Sequence, residues 1–146
     1  MAVDKKATLT YVQLMKEDLA VFRLVPEDGV IPDYETGQFI TLGMPIPSED
    51  NKIIRRAYSI ASHPENKRFI ELVVRWVRKP LPGRVTTALF NAGEGNEVSW
   101  LPPTGAALQI NEKLADGSKD QRRIVCVSGG TGIAPFMAFA RHLHAT

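Results

Sequence analysis

Short runs of alternating apolar and polar residues, each cut off by glycine, proline or a polar turn, recur from Thr8 to Ile110 and restrict the fold more than any other feature of the chain. A period of two sends alternate side chains to opposite faces of an extended chain, so each run reads as a strand with one buried face. Leu9, Tyr11 and Gln13, then Leu19, Val21, Arg23 and Val25, alternate on either side of Lys16-Glu17-Asp18, which is the pattern of a hairpin. Gln38–Leu42, Ile54–Ala61, Phe69–Val77, Val98–Leu101 and Ala106–Ile110 continue the series, with turn residues between them. One interruption is helical: Val85, Ala88, Leu89 and Ala92 form a stripe at helical spacing, and Gly93 stops it. About six short strands and one helix predict a mainly β domain, closed as a barrel.

The pattern changes after the polar stretch Leu114–Gln121. Ile124-Val125-Cys126-Val127 is a continuous apolar run of the kind buried in parallel sheets. Gly129-Gly130-Thr131-Gly132 then leads into a helix with Ile133, Phe136, Met137, Ala140 and Leu143 on one face. A single βα unit cannot cover both faces of its strand, so residues 122–146 read as the first fragment of an α/β domain that follows a barrel over residues 1–115. Ile124–Val127 is therefore expected to be poorly ordered or covered by a second copy of the chain, and Cys126 to be a small buried hydrophobe.

With 146 residues there is room for one domain of ordinary size. Eighteen Lys and Arg against sixteen Asp and Glu argue against a strongly nucleic-acid-binding surface overall. The excess is local: nine basic residues fall between Lys52 and Arg84, against Glu65 and Glu71 alone. Cys126 is the sole cysteine, which excludes an internal disulfide and a four-cysteine iron–sulfur cluster within the chain, and no cluster of ligands predicts a metal. No signal-like or membrane-spanning apolar stretch is present, and the expected location is the cytoplasm, with no membrane partner.

Alternation along Ile54–Ala61 places Arg56 and Tyr58 on one face and Ala57 and Ser59 on the other, with same-face neighbours about 7 Å apart. An arginine beside a phenol suits a ligand with an anionic end and a flat ring, although an ordinary exposed strand face has the same spacing. Gly83-Arg84-Val85-Thr86-Thr87, opening the helix, offers unpaired N–H groups and a positive dipole end to a phosphate; Thr86 acting as a cap alone is the competing reading. Glycines at Gly130 and Gly132 allow close backbone approach to a pyrophosphate, and Pro135 fits a first helical turn, but the strict G-x-G-x-x-G fingerprint is not met. Trp76 and Trp100 read as core or barrel-rim residues, and His63, His142 and His144 as solvated surface residues.

Together, Arg56-Ala57-Tyr58-Ser59 and Gly83-x-x-Thr86-x-x-Leu89 resemble the paired flavin motifs R-x-Y-S and G-x-x-S/T-x-x-L of the ferredoxin–NADP reductase family, in the same order. Ser128-Gly129-Gly130-Thr131-Gly132-Ile133-Ala134-Pro135 is similar to that family's nicotinamide turn. The resemblance implies a six-stranded antiparallel Greek-key flavin-binding barrel with one short helix, followed by a truncated βα unit of an α/β nucleotide-binding domain. It implies FAD as cofactor, NADP(H) or NAD(H) as substrate, and ferredoxin, flavodoxin or a similar carrier as partner. Arg56 would bind the flavin phosphate, Tyr58 pack on the isoalloxazine, Ser59 hydrogen-bond near N5, and Thr86 with the amides of Gly83 and Val85 hold the pyrophosphate. Ala57 and the backbone of Val74, Arg75 and Trp76 would lie beside the ring and ribityl chain, and Gly130, Thr131, Gly132 and Pro135 would meet the nicotinamide nucleotide. Tyr58 and Ser59 are the residues expected at the reacting ring. Two other readings stay open: a flavin-binding module without reductase activity, and a nucleic-acid-binding barrel of OB type, for which the basic stretch interleaved with Tyr58 and Trp76 would be the groove.

Overall fold

Glu17 and Asp18 fold β1 (Lys5–Lys16) back onto β2 (Leu19–Pro26) in the computed structural model of the chain, which describes residues 4–108 and 112–146. β3 (Phe39–Ile46), β4 (Lys52–Ser59), β5 (Ile70–Arg75) and β6 (Glu97–Thr104) complete an antiparallel six-stranded sheet in the order β4-β3-β6-β1-β2-β5. The strands at the two ends of that order, β4 and β5, are consecutive in sequence. The sheet curls until they meet beyond the end of β4, where the Ala61 N–H donates to the Glu71 carbonyl at 2.8 Å. The barrel is thus closed at that point, while β4 and β5 are not paired along their length.

The alternation expected from the sequence fills the interior. Ala20, Phe22 and Leu24 on β2 stand opposite Val74, Leu72 and Ile70 on β5, and all six are buried. Ile40 and Leu42 of β3, Leu9 of β1 and Trp100 of β6 complete the core, with the Trp100 indole N–H donating to the Lys6 carbonyl at 3.3 Å. Helix α1 (Arg84–Ala92) presses Val85 and Leu89 into this core, and Phe90 meets Phe22 edge-on at 5.4 Å. Burying such side chains is worth about 1.5–3 kcal/mol each.

Three expectations fail beyond the barrel. Residues 106–108 form no strand; Leu108 is instead held by its N–H donating to the Thr36 carbonyl at 2.7 Å, and Gln109 and Ile110 lie outside the described residues. Ile124–Val127 forms no strand either: Val125 and Val127 are 82% and 85% exposed, and Cys126 is exposed rather than buried. A strand apolar on both faces needs neighbours at both edges, and none pairs with it among the described residues. Helix α2 (Ala134–Ala145) follows a short 3-10 turn, Gly130–Ile133, but turns a different face inward. Ala134, Ala138 and Phe139 are buried, whereas Ile133, Ala140 and Leu143 of the expected stripe are exposed. The barrel supplies the surface on which α2 packs, so the stripe suited to a parallel sheet is left outward.

The basic stretch is also largely neutralised. Arg55 pairs with Asp4, Lys67 with Asp33 at 2.8 Å and Arg84 with Glu49 at 2.8 Å, while Arg75 and Arg78 lie 4.0 and 3.8 Å from Asp18 and Glu17. This ties five of the nine basic residues of the stretch into separate ion pairs.

Candidate functional site

The unpaired seam between β4 and β5 is where the sequence motifs converge. Tyr58 and Arg56 stand opposite Ile40 and Leu42 on β3, and directly opposed residues share a face, so both point to the barrel interior side. Because β4 is an edge, that side opens into a cleft of about 710 Å³, lined from β4 by Arg56, Ala57, Tyr58 and Ser59. The Ile60 N–H donates to the Gln38 carbonyl at 3.1 Å, which fixes the parity of the ladder: Ala57 and Ser59 turn their backbone N–H and C=O to the free edge. The Arg56 side chain follows the same edge, donating from Nη1 to the Arg55 carbonyl at 2.7 Å. Arg56 has no acidic partner among the described residues, unlike Arg84 in the same cleft. Burial pushes the Tyr58 phenol up to about 12 against the opposing charge of Arg56, so the ring stays neutral.

The opposite wall comes from β5 and α1. Val73, Val74 and Arg75 face the cleft, joined by Val77, Gly83, Arg84, Val85 and Thr86. The first helical N–H bond of α1 runs from Thr87 to the Gly83 carbonyl at 2.9 Å, so the N–H groups of Arg84, Val85 and Thr86 have no acceptor within the helix. The Thr86 hydroxyl is already engaged: Oγ1 donates to the Gly83 carbonyl at 3.2 Å and accepts from the Val77 N–H at 3.3 Å. The Gly83 N–H donates to the Val77 carbonyl at 2.8 Å, and a Cβ at Gly83 would sit 2.6 Å from Thr86 Oγ1. Gly83 and Thr86 therefore tie the helix start to the end of β5, and the free donors are the amides rather than the hydroxyl.

Thr131, Gly132 and Ala134 reach the same cleft from the second motif, while Gly130 and Pro135 flank it without lining it. Gly130 has φ +54°, a left-handed conformation that favours glycine. Trp76 is turned away: its indole N–H donates to Thr87 Oγ1 at 2.9 Å, its ring stacks on Phe90 at 5.3 Å, and its own N–H donates to the Asp18 carbonyl at 2.7 Å. Sequence reasoning passed over Val73 and Val77. They carry no signal beyond being apolar, whereas Arg84 and Ala134 lie within the two quoted motifs without having been given a role.

Three free amides at a helix start, an unpaired guanidinium across from them and a neutral aromatic ring on the floor match a phosphate-bearing nucleotide with a flat ring system. The donor set fits a flavin dinucleotide without any rearrangement of the hydrogen bonds described.

Comparison with known proteins agrees. The chain belongs to the oxidoreductase FAD-binding domain family, which matches residues 6–108. It is 27% identical over 145 residues to the propane 2-monooxygenase reductase component of Mycolicibacterium goodii, covering 98% of this chain and 37% of that protein. The flavohem-like FAD/NAD-binding domain of nitric oxide dioxygenase from Vibrio cholerae superposes with a TM-score of 0.79 at 25% identity, over 97% of this chain and 56% of that one. The fold is also that of the ferredoxin NADP+ reductase of Neisseria gonorrhoeae with bound FAD and NADP, at a TM-score of 0.69, 19% identity, and 99% and 53% coverage. The chain spans about half the length of these relatives or less.

Proposed function

We propose that the chain is the flavin half of a reductase of ferredoxin–NADP reductase type, carrying electrons from a nicotinamide nucleotide through FAD to a protein one-electron carrier. The observation that carries this reading is the meeting of the two motifs: Thr131 and Gly132 line the same cleft as Tyr58 and Ser59. Ferredoxin, flavodoxin and an oxygenase component are the carriers this reading allows; among the relatives, reductase components of oxygenases support a carrier of the last kind.

FAD bound in the cleft supplies the redox chemistry, accepting electrons in a pair and releasing them singly. In this reading Arg56 and the amides of Arg84, Val85 and Thr86 hold the diphosphate from both sides of the seam. Tyr58 supplies the surface on which the flat ring packs, and its neutral phenol takes no part in acid–base chemistry. Ala57 and Ser59 present the free edge of β4, and the Ser59 hydroxyl is the group available to hydrogen-bond the reacting part of the ring. Val74 and Arg75 bound the other side, and the Gly130–Ile133 turn receives the nicotinamide nucleotide.

The test is anaerobic mixing of the FAD-loaded chain with NADPH and, separately, NADH, followed in the flavin absorbance. Bleaching by either is expected. FAD that stays oxidised with both would favour a flavin-binding module without reductase activity.

A further inference from the structure

Among the described residues Glu71 is the one charged side chain that is buried, at 2% exposure. It projects from the outer face of β5, directly opposite Arg23 on β2. One carboxylate oxygen accepts from Arg23 Nε at 2.8 Å, and the other accepts from Arg141 Nη1 at 2.6 Å. Arg141 belongs to α2 and also donates to the Ala61 carbonyl at 3.0 Å, at the point where the barrel closes. Arg23 is fixed in turn, its guanidinium lying 4.5 Å from the Tyr11 ring centroid and 4.2 Å from that of Phe69. Two strands, the seam and the second motif's helix thus meet at a single carboxylate.

The arrangement is stringent because a buried carboxylate is tolerated only while its cations are in place. If α2 moves off the barrel, Glu71 loses half of its compensation, so the charge selects one position of the helix. Little else competes for that role. Of α2, Ala134, Ala138 and Phe139 are buried and Phe136 and Met137 half-buried, an apolar contact that fixes no single position of the helix; Ile124–Val127 offers no strand to anchor it, and the His142–Glu65 contact at 2.5 Å lies at the surface, where such pairs are worth little. Arg141 stands seven residues beyond Ala134, about 10 Å along the helix from the turn that lines the cleft.

We propose that Glu71, clasped by Arg23 and Arg141, is a positioning residue that latches α2 to the barrel and so sets the Gly130–Ile133 turn against the flavin cleft. The consequence for nucleotide binding rests on the reading that this turn receives the nicotinamide nucleotide. Glu71 touches neither ligand and acts through α2.

The test compares the wild-type chain with Arg141→Ala and Arg141→Lys, which leave the Glu71–Arg23 pair intact should Glu71→Gln fail to fold. Hydrogen exchange of the α2 amides is expected to speed up about tenfold or more in Arg141→Ala, with core amides of β2 and β5 unchanged and the lysine variant between. In the FAD-loaded chain, titration with NADP+ and NAD+ followed by flavin difference spectra is expected to show half-saturation raised about fivefold or more in Arg141→Ala. FAD affinity should stay within about twofold, and Arg141→Lys should recover part of the loss. Unchanged α2 exchange overturns the latch. Faster exchange with unchanged half-saturation, or a wild-type spectrum that responds to neither nucleotide, overturns its role in setting the turn. A chain that takes up no FAD would fail the flavin reading instead, and the exchange comparison, which needs no flavin, still decides the latch.

Discussion

Truncating Arg56 to alanine removes the guanidinium that faces the seam cleft without an acidic partner among the described residues. A hydrogen bond to a charged group is worth about 1.5–3 kcal/mol. Arg56 is exposed, and Nη1 already donates to the Arg55 carbonyl at 2.7 Å, so only part of its donor set is available to a phosphate. A loss of about 1.5–2.5 kcal/mol follows, which is about 10–60-fold in the Kd for FAD. The assay is titration of the apoprotein with FAD, read as quenching of flavin fluorescence at low and moderate salt. Arg55→Ala is the internal control: it removes a neighbouring arginine whose charge is spent on Asp4, and FAD affinity should not change. Salt should weaken wild-type binding more than binding by Arg56→Ala, since screening acts on the same charge. Equal affinities for wild type and Arg56→Ala, or equal losses from the two alanine variants, would refute the placement of the phosphates at Arg56.

Other substitutions probe the rest of the site. Thr86→Val leaves the Val77 N–H without its acceptor and should lower stability by about 1–3 kcal/mol, seen as a lower urea midpoint. Tyr58→Phe should hold FAD within about twofold of wild type in the same titration, because the cleft uses the ring, whereas Tyr58→Ala should lose about tenfold or more. Burial pushes the Glu71 carboxyl up, but its hydrogen bonds and ion pairs to Arg141 and Arg23 outweigh this and hold it below its ordinary 4.5. Its contribution to stability is therefore complete above that ordinary value and is lost as pH falls through the lower folded one. Urea titrations across this range should show Glu71→Gln less acid-sensitive than wild type, and about 1–2 kcal/mol less stable at neutral pH, since Arg23 and Arg141 keep access to water.

Local patterns carried the barrel and half of the cleft. Alternation alone put Arg56 and Tyr58 on one face, and the register against Leu42 and Ile40 shows which face that is. The stripe of Val85 and Leu89 located α1, and Gly83 with Thr86 marked its start. Features that depend on distant partners were not legible. Glu71 reads as a solvent-facing position of β5, since nothing in its neighbourhood announces that Arg141, seventy residues later, will cover it. The run Ile124–Val127 has the composition of a buried strand, but burial requires neighbours, and the same absence leaves Ile133 and Leu143 outward on α2. The resemblance placed only the backbone of Trp76 beside the ring; that its side chain would donate its indole N–H to Thr87 and stack on Phe90 depends on α1 and had no local signal.

The visible absorption spectrum of the purified chain, with chromatographic identification of the nucleotide released on denaturation, tests the flavin cleft most directly. The two-banded spectrum of an oxidised flavin and release of FAD are the predicted result. A colourless protein that also takes up no added FAD would contradict the assignment of the Arg56, Tyr58, Ser59 and Thr86 cleft as a flavin site.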